Sequence, residues 1–245
     1  YDYRVIVSGG CGPNQTSAGV NLTVNESPEI TVQPVNSTIC ETTNTSFTVD
    51  AGVTTAPAYQ WQESTNGGSS YANIVNGGIY AGATTATLTL TGVPLGHNGY
   101  LYRAIVSGTC SPNATSNSAL LTVNQNTTIT LAPVAATGCE ASTVQYTVTA
   151  VGTGLTYQWQ EDDGGGFANI ANGGIYAGAT TTTLVLTGIT SAMHGYDYRV
   201  VVSGGCGPNQ TSAGVNLTVN ESPEITVQPV NSTIDAPRKA QAKKQ

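Results

Sequence analysis

Five cysteines, two histidines, fourteen carboxylates and a recurring serine are the groups in this chain with chemistry to offer. Cys11, Cys40, Cys110, Cys139 and Cys206 form no Cys-x-x-Cys pair and keep no spacing to histidine that suggests zinc. Disulfide formation remains open to them, and it implies an oxidising compartment outside the cytoplasm. Ser8, Ser107 and Ser203 each sit in a Val-Ser-Gly string with no fixed histidine and acid to activate them, and a serine alone is a weak nucleophile. Their expected job is a turn. His97 and His194 lie near one kind of turn but at different repeat positions, so no repeated catalytic base is expected. Glu161, Asp162 and Asp163 precede three glycines; such a loop could supply some of the six to eight oxygens calcium takes, as could Glu26, Glu29, Glu221 and Glu224 at module junctions. The spacing fits no EF-hand, and a solvated acidic face is the default. Gly-Gly-Ile-Tyr-Ala-Gly at 77–82 and 173–178 follows no strand-to-helix turn and is no phosphate cradle. No catalytic residue, cofactor or resident metal is expected, and the chain does not read as an enzyme.

The elements that hold these groups are legible from composition and repetition. Only 9% of the 245 residues are charged, and 38 are Thr. Thr, Val, Ile and Tyr favour strands, Gly, Asn and Pro favour turns, and helix formers are scarce. No apolar run is long enough to span a membrane as a helix. Net charge is −7, with Arg238, Lys239, Lys243 and Lys244 near the C-terminus, so the body is acidic and lacks the basic face nucleic acid requires. Residues 1–39 return at 196–234 with 38 of 39 positions identical; only Ile6 differs, as Val201. Within that period lies a looser repeat of about half the length: Cys40 matches Cys139, Trp61 matches Trp159, and NGGIYAGATT occurs at 76–85 and 172–181. The chain reads as a window onto a longer array. Residues 1–25 are the last two strands of one module, 26–124 and 125–220 are two modules, 221–234 is the first strand of another, and 235–245 is a non-repeat basic tail. Nine or more Asn-x-Ser/Thr triplets, among them Asn44, Asn113 and Asn126, leave glycosylation open.

Each module reads as all-β. In the first, strands are expected near 29–33, 45–50, 57–63, 71–74, 85–91, 99–107 and 116–123. TATLTLTG at 85–92 and YRAIVSG at 102–108 alternate polar and apolar, and Asn-Gly and Pro-Asn turns separate the runs. Seven short strands in this length give a β-sandwich.

Tyr-Gln-Trp-Gln at 59–62 and 157–160 lies on the third expected strand, and Tyr-x-Tyr-Arg at 1–4, 100–103 and 196–199 on the sixth. The arrangement resembles an immunoglobulin sandwich, which implies Trp61 and Trp159 at the centre of the core and Tyr102 and Tyr198 as corner tyrosines. The usual inter-sheet cysteine is absent, since Ala104 and Val200 stand there. Cys40 and Cys139 precede the second strand and Cys110 and Cys206 follow the sixth. That predicts one staple per module at the same end, Cys40 with Cys110 and Cys139 with Cys206, worth roughly 4 kcal/mol each by chain entropy; free buried thiols are the alternative. Cys11 matches Cys206, and its partner would precede residue 1. Arg103 and Arg199 point outward, toward glutamines such as Gln60 and Gln62.

TYQWQ, NGGIYAGATTATLTLTG, GYLYRAIVSGTC and SNSALLTVN together resemble the immunoglobulin-like repeats of large surface adhesins of Bacteroidota, which are exported by the type IX secretion system. The resemblance implies tandem sandwiches in a linear array on the cell surface, a stalk that spaces an adhesive tip and serves attachment or gliding. Its partners would be neighbouring modules and surface glycans or proteins. The other reading is an array of glycan- or protein-binding modules, with Tyr71, Tyr80, Phe167 and Tyr176 as ring candidates.

Overall fold

The computed structural model describes residues 1–221 and 223–233. The basic tail at 235–245 lies outside them. The fold is all-β, apart from two single 3-10 turns at Leu95–His97 and Ser191–Met193. Two sandwiches follow one another along the chain. In the first, a sheet runs in the order Ser37–Cys40, Ala119–Asn124, Leu101–Ser107, Ala58–Ser64, Ala72–Asn73. It faces a three-stranded sheet of Thr45–Thr48, Thr87–Leu90 and Tyr80–Ala81. The second sandwich repeats both sheets with Ala136–Cys139, Val215–Asn220, Asp197–Ser203, Thr156–Asp162 and Ala168–Asn169 against Thr143–Thr147, Thr183–Thr187 and Tyr176–Ala177, and adds a pair of Thr128–Leu131 with Thr149–Val151.

Strand alternation decides what enters the core. Along Leu101–Ser107 the residues Tyr102, Ala104 and Val106 are buried while their neighbours are not. Trp61 and Trp159 are fully buried between the sheets. Each is clamped by its glycine-rich segment. Trp61 N–H donates to Ala83 O at 2.8 Å and its indole N–H to Thr85 O at 2.9 Å; Trp159 makes the same pair with Ala179 and Thr181, both at 2.9 Å. Asn76 Oδ1 and Asn172 Oδ1 each accept from the following Ala83 or Ala179 N–H at 2.8 Å. At Gly82 and Gly178, both with φ near +76°, a Cβ would fall onto the carbonyl oxygen of Thr87 or Thr183. Repetition of this string is therefore explained by the indole it encloses.

The edge strand Ser37–Cys40 was not among the sequence expectations. It pairs parallel to Ala119–Asn124, with Cys40 opposite Asn124. Residues 29–33 contribute only the bridge between Val32 and Asp50. The opening segment thus leaves one sheet and joins the other after Pro34. Residues 1–24 pair Tyr3 with Val20 and Ile6 with Thr16 in the same register as Tyr102 with Ala119 and Ile105 with Thr115. There, however, no described residue covers the inner face: Tyr3, Val5 and Val7 are 54, 62 and 63% exposed, whereas Tyr102, Ala104 and Val106 are fully buried. Residues 223–233 form no strand. They match 28–38, whose Ser37–Thr38 end pairs only because Ala119–Asn124 runs beside it.

The disulfide expectation is corrected. Cys40 is bonded to Cys206 of the other sandwich, and Cys11, Cys110 and Cys139 are free thiols. The physical reason is strand direction. Cys40 ends a strand parallel to Ala119–Asn124, so it sits at the end where that strand finishes. Leu101–Ser107 runs antiparallel to the same strand and exits at the opposite end, carrying Cys110 away. The two cysteines of one sandwich lie a sandwich length apart, too far for the few-ångström reach of a disulfide.

Candidate functional site at the junction of the two sandwiches

The short linker Gln125–Thr127 is bonded on both sides. Toward the first sandwich, Asn126 N–H donates to Glu41 Oε1 at 2.9 Å and Asn126 Nδ2 donates to Glu41 O at 3.4 Å, while Glu41 N–H donates to Asn124 O at 2.9 Å. Toward the second, Gln125 N–H donates to Thr153 Oγ1 at 2.9 Å and Thr153 N–H returns to Gln125 O at 3.1 Å. The buried Thr127 donates its N–H and its hydroxyl to Cys206 O, each at 3.0 Å. A Cβ on Gly204 would collide with Thr127 Oγ1. The Cys40–Cys206 bond, with Cα atoms 5.5 Å apart, closes this arrangement across the junction. Glu41, Thr127 and Thr153 carry no expectation from the sequence, where Asn126 is read as a glycosylation candidate, and the Cys-Glu string at 40–41 and 139–140 is the available signal.

Away from the junction, a polar cluster lies inside each sandwich. In the first, Tyr80 donates to Glu63 Oε2 at 2.5 Å and its hydroxyl lies 3.3 Å from that of Tyr102. In the second, Glu161 Oε2 accepts from both Tyr176 and Tyr198, the latter at 2.5 Å. The corner-tyrosine role assigned to Tyr102 and Tyr198 is corrected accordingly: their hydroxyls meet a glutamate-anchored cluster on the Trp-bearing strand. Burial first, and the bond to glutamate second, raise the Tyr80 and Tyr198 hydroxyls well above the phenol value of 10.0. Burial raises Tyr102 and Tyr176 as well. Such groups stay protonated and hold the sheets; they transfer no proton near neutrality.

On the outer face, Arg103 Nε donates to Gln62 Oε1 at 2.9 Å and Arg199 Nε to Gln160 Oε1 at 2.7 Å, while Gln62 and Gln160 each donate to an asparagine, Asn73 or Asn169. Each guanidinium lies over a ring, Tyr71 at 3.6 Å and Phe167 at 3.9 Å. The four rings nominated as ligand platforms are thus already engaged, two under arginine and two on glutamate. Asp162 Oδ1 accepts from Gly164 and Gly166 N–H, both at 2.8 Å, so the acidic loop folds its own turn. A surface hollow of about 330 Å³ beside it is lined by Glu161, Asp163, Asn169, Ile170 and Tyr176. Among the described residues no group of three or more His, Cys, Asp or Glu is placed to hold a metal ion, and no helix is long and apolar enough to cross a membrane.

A family described as "Domain of unknown function (DUF8696)" matches residues 30–125. No curated protein matches the chain in sequence. Among solved structures, an I-band fragment of titin superposes with a TM-score of 0.61 at 18% identity, covering 81% of this chain and 67% of that one. The D1–D2 fragment of Rst gives 0.58 at 15%, covering 80% and 100%. Domains 3–5 of the extracellular region of Drosophila OTK give 0.51 at 18%, covering 89% and 70%. The chain therefore has the tandem immunoglobulin fold, an architecture it shares with the titin, Rst and OTK fragments.

Proposed function

We propose that the chain is a spacer segment of an extracellular array, the stalk of a bacterial surface adhesin that holds an adhesive tip away from the cell. Modules 26–124 and 125–220 are its units. The observation that carries this reading is the junction: a disulfide and a set of hydrogen bonds fix one sandwich to the next, while the candidate ligand rings Tyr71, Tyr80, Phe167 and Tyr176 are engaged in contacts within their own sandwich. A disulfide supports an oxidising location. An acidic body nearly free of lysine favours copies that repel one another. Export by a type IX route and service in attachment or gliding belong to this reading through the sequence resemblance.

The test is length. Removing whole 195-residue periods from the natural array should weaken surface attachment progressively, and the isolated chain should leave a glycan array silent. A saturable glycan signal from the isolated chain, or attachment indifferent to array length, would overturn the spacer role.

A further inference from the structure

The three free cysteines sit at positions that the bonded pair also occupies. Cys139 ends the edge strand Ala136–Cys139 opposite Asn220, as Cys40 ends its strand opposite Asn124. Both are followed by glutamate, and both carbonyls accept a hydroxyl at 2.6 Å, from Ser142 Oγ at Cys139 and from Thr43 Oγ1 at Cys40. Cys110 stands where Cys206 stands. Thr109 N–H donates to Thr55 O at 3.0 Å, as Gly205 N–H donates to Thr153 O at 2.8 Å. The linkers match too: Glu26 N–H donates to Thr55 Oγ1 at 2.8 Å, as Gln125 N–H donates to Thr153 Oγ1 at 2.9 Å. Cys110 Sγ lies 3.6 Å from Asn25 O, and Asn25 is the repeat equivalent of Asn124, the residue paired with Cys40. The top and the bottom of each sandwich therefore carry complementary halves of one clasp. The junction at 40–41 and 125–127 shows the two halves closed.

We propose that Cys139 and Cys110 are half-sites of this same clasp, and Cys11 by its repeat position another. Each bonds the complementary cysteine of the adjoining module of the same array, so that successive sandwiches are joined in a ladder and none is closed on itself. The step joins Sγ to Sγ and removes two protons and two electrons from two thiols. A small-molecule disulfide accepts both electrons and leaves as two thiols. The inference rests on the repeat and on the Cys40–Cys206 bond, and holds whatever the array does for the cell.

The repeat supplies the test, because residue 220 is followed naturally by the equivalent of residue 26. A chain of residues 1–220 continued by residues 26–245 adds one full period. It is refolded in a buffer of oxidised and reduced glutathione, and its bridges are mapped by mass spectrometry of alkylated, unreduced peptides. The present chain has one bridge and three free thiols. The extended chain should have three bridges and again three free thiols, the new link joining Cys139 to the Cys110 equivalent of the added period. Four bridges with one free thiol, paired within sandwiches, would overturn the proposal. So would two bridges with five free thiols. Doubling of mass on a non-reducing gel would assign the link to separate chains and overturn its placement within one array. C139S in the extended chain should lose that one bridge, keep both Cys40–Cys206 links and melt cooperatively, which separates loss of the link from loss of the fold.

Discussion

The two sandwiches are nearly the same machine built twice, and the positions where they differ separate what the fold requires from what it tolerates. Tyr146 occupies the place of Phe47, and each stacks on the tyrosine of the facing sheet with centroids 4.9 Å apart. The added hydroxyl of Tyr146 is buried without a partner. His97 stands where the other copy has the buried Met193, and its Nδ1 is likewise buried and unpaired. Ile39 and Val93 become Gly138 and Ile189, and the Ile189 methyl fills the space a Gly138 Cβ would need. The tryptophan clamp, the glutamate-anchored tyrosines and the arginine over a ring stay the same. Packing positions have drifted, and so have some that hydrogen-bond: Tyr71, whose hydroxyl meets Ser118 Oγ, is Phe167 in the other copy, and Asn98, which accepts from Val123 N–H, is His194, which accepts from Val219 N–H.

Alkali should break the comparison most. Five tyrosine hydroxyls titrate above 10.0 in the folded state, Tyr80 and Tyr102 in the first sandwich and Tyr146, Tyr176 and Tyr198 in the second. The unfolded chain releases these protons near pH 10 while the folded chain retains them. Stability is therefore intact below that pH and falls above it. Phenolate absorbance from these five should rise only with unfolding, the second sandwich, which holds three of them, giving way before the first. Gradual titration of all the tyrosines with the fold intact would contradict the buried clusters.

Trp61→Ala and Trp159→Ala should each cost about 3–5 kcal/mol in denaturant melts and unfold the sandwich concerned. An appreciable difference between them would show that the two cores are not equivalent. Glu161→Leu should cost about 2 kcal/mol, because two hydroxyls lose their acceptor, and Glu63→Leu less, because only Tyr80 donates there directly. Tyr146→Phe should stabilise the second sandwich by about 1 kcal/mol by removing an unpaired buried hydroxyl; destabilisation would mean that the hydroxyl has a partner. Arg103→Met should be the mildest, about 0.5–1 kcal/mol of lost cation–π attraction.

Much of this was legible in the residues. Trp61 and Trp159 announce a core because an indole flanked by alternating polar residues on a strand has only one apolar face to enter. The strands of 99–107 and 116–123 follow from period-two alternation. What escaped was non-local. A parallel edge strand such as Ser37–Cys40 has no hairpin to signal it, so spacing does not reveal the end of the sandwich at which Cys40 lies, and spacing alone pairs Cys40 within its own sandwich. Glu161 reads as part of a solvated acidic face because nothing in a string of letters says that Tyr176 will fold back over it. The junction residues Glu41 and Thr127 have ordinary identities and acquire a role only when two modules meet.

The bond between Cys40 and Cys206 changes how the chain would answer a pull. Tension applied at residues 26 and 221 need not travel through the 166 positions separating the two cysteines; it crosses from one to the other directly. The longest such path is about thirty residues of backbone, roughly 100 Å when fully stretched, against roughly 650 Å for the same pair of modules with the sulfur bond reduced. Oxidised, the segment behaves as a nearly inextensible link whose sandwiches are shielded from unwinding. A thread made this way would trade elasticity for a fixed reach, and reducing agents would be the switch that lengthens it.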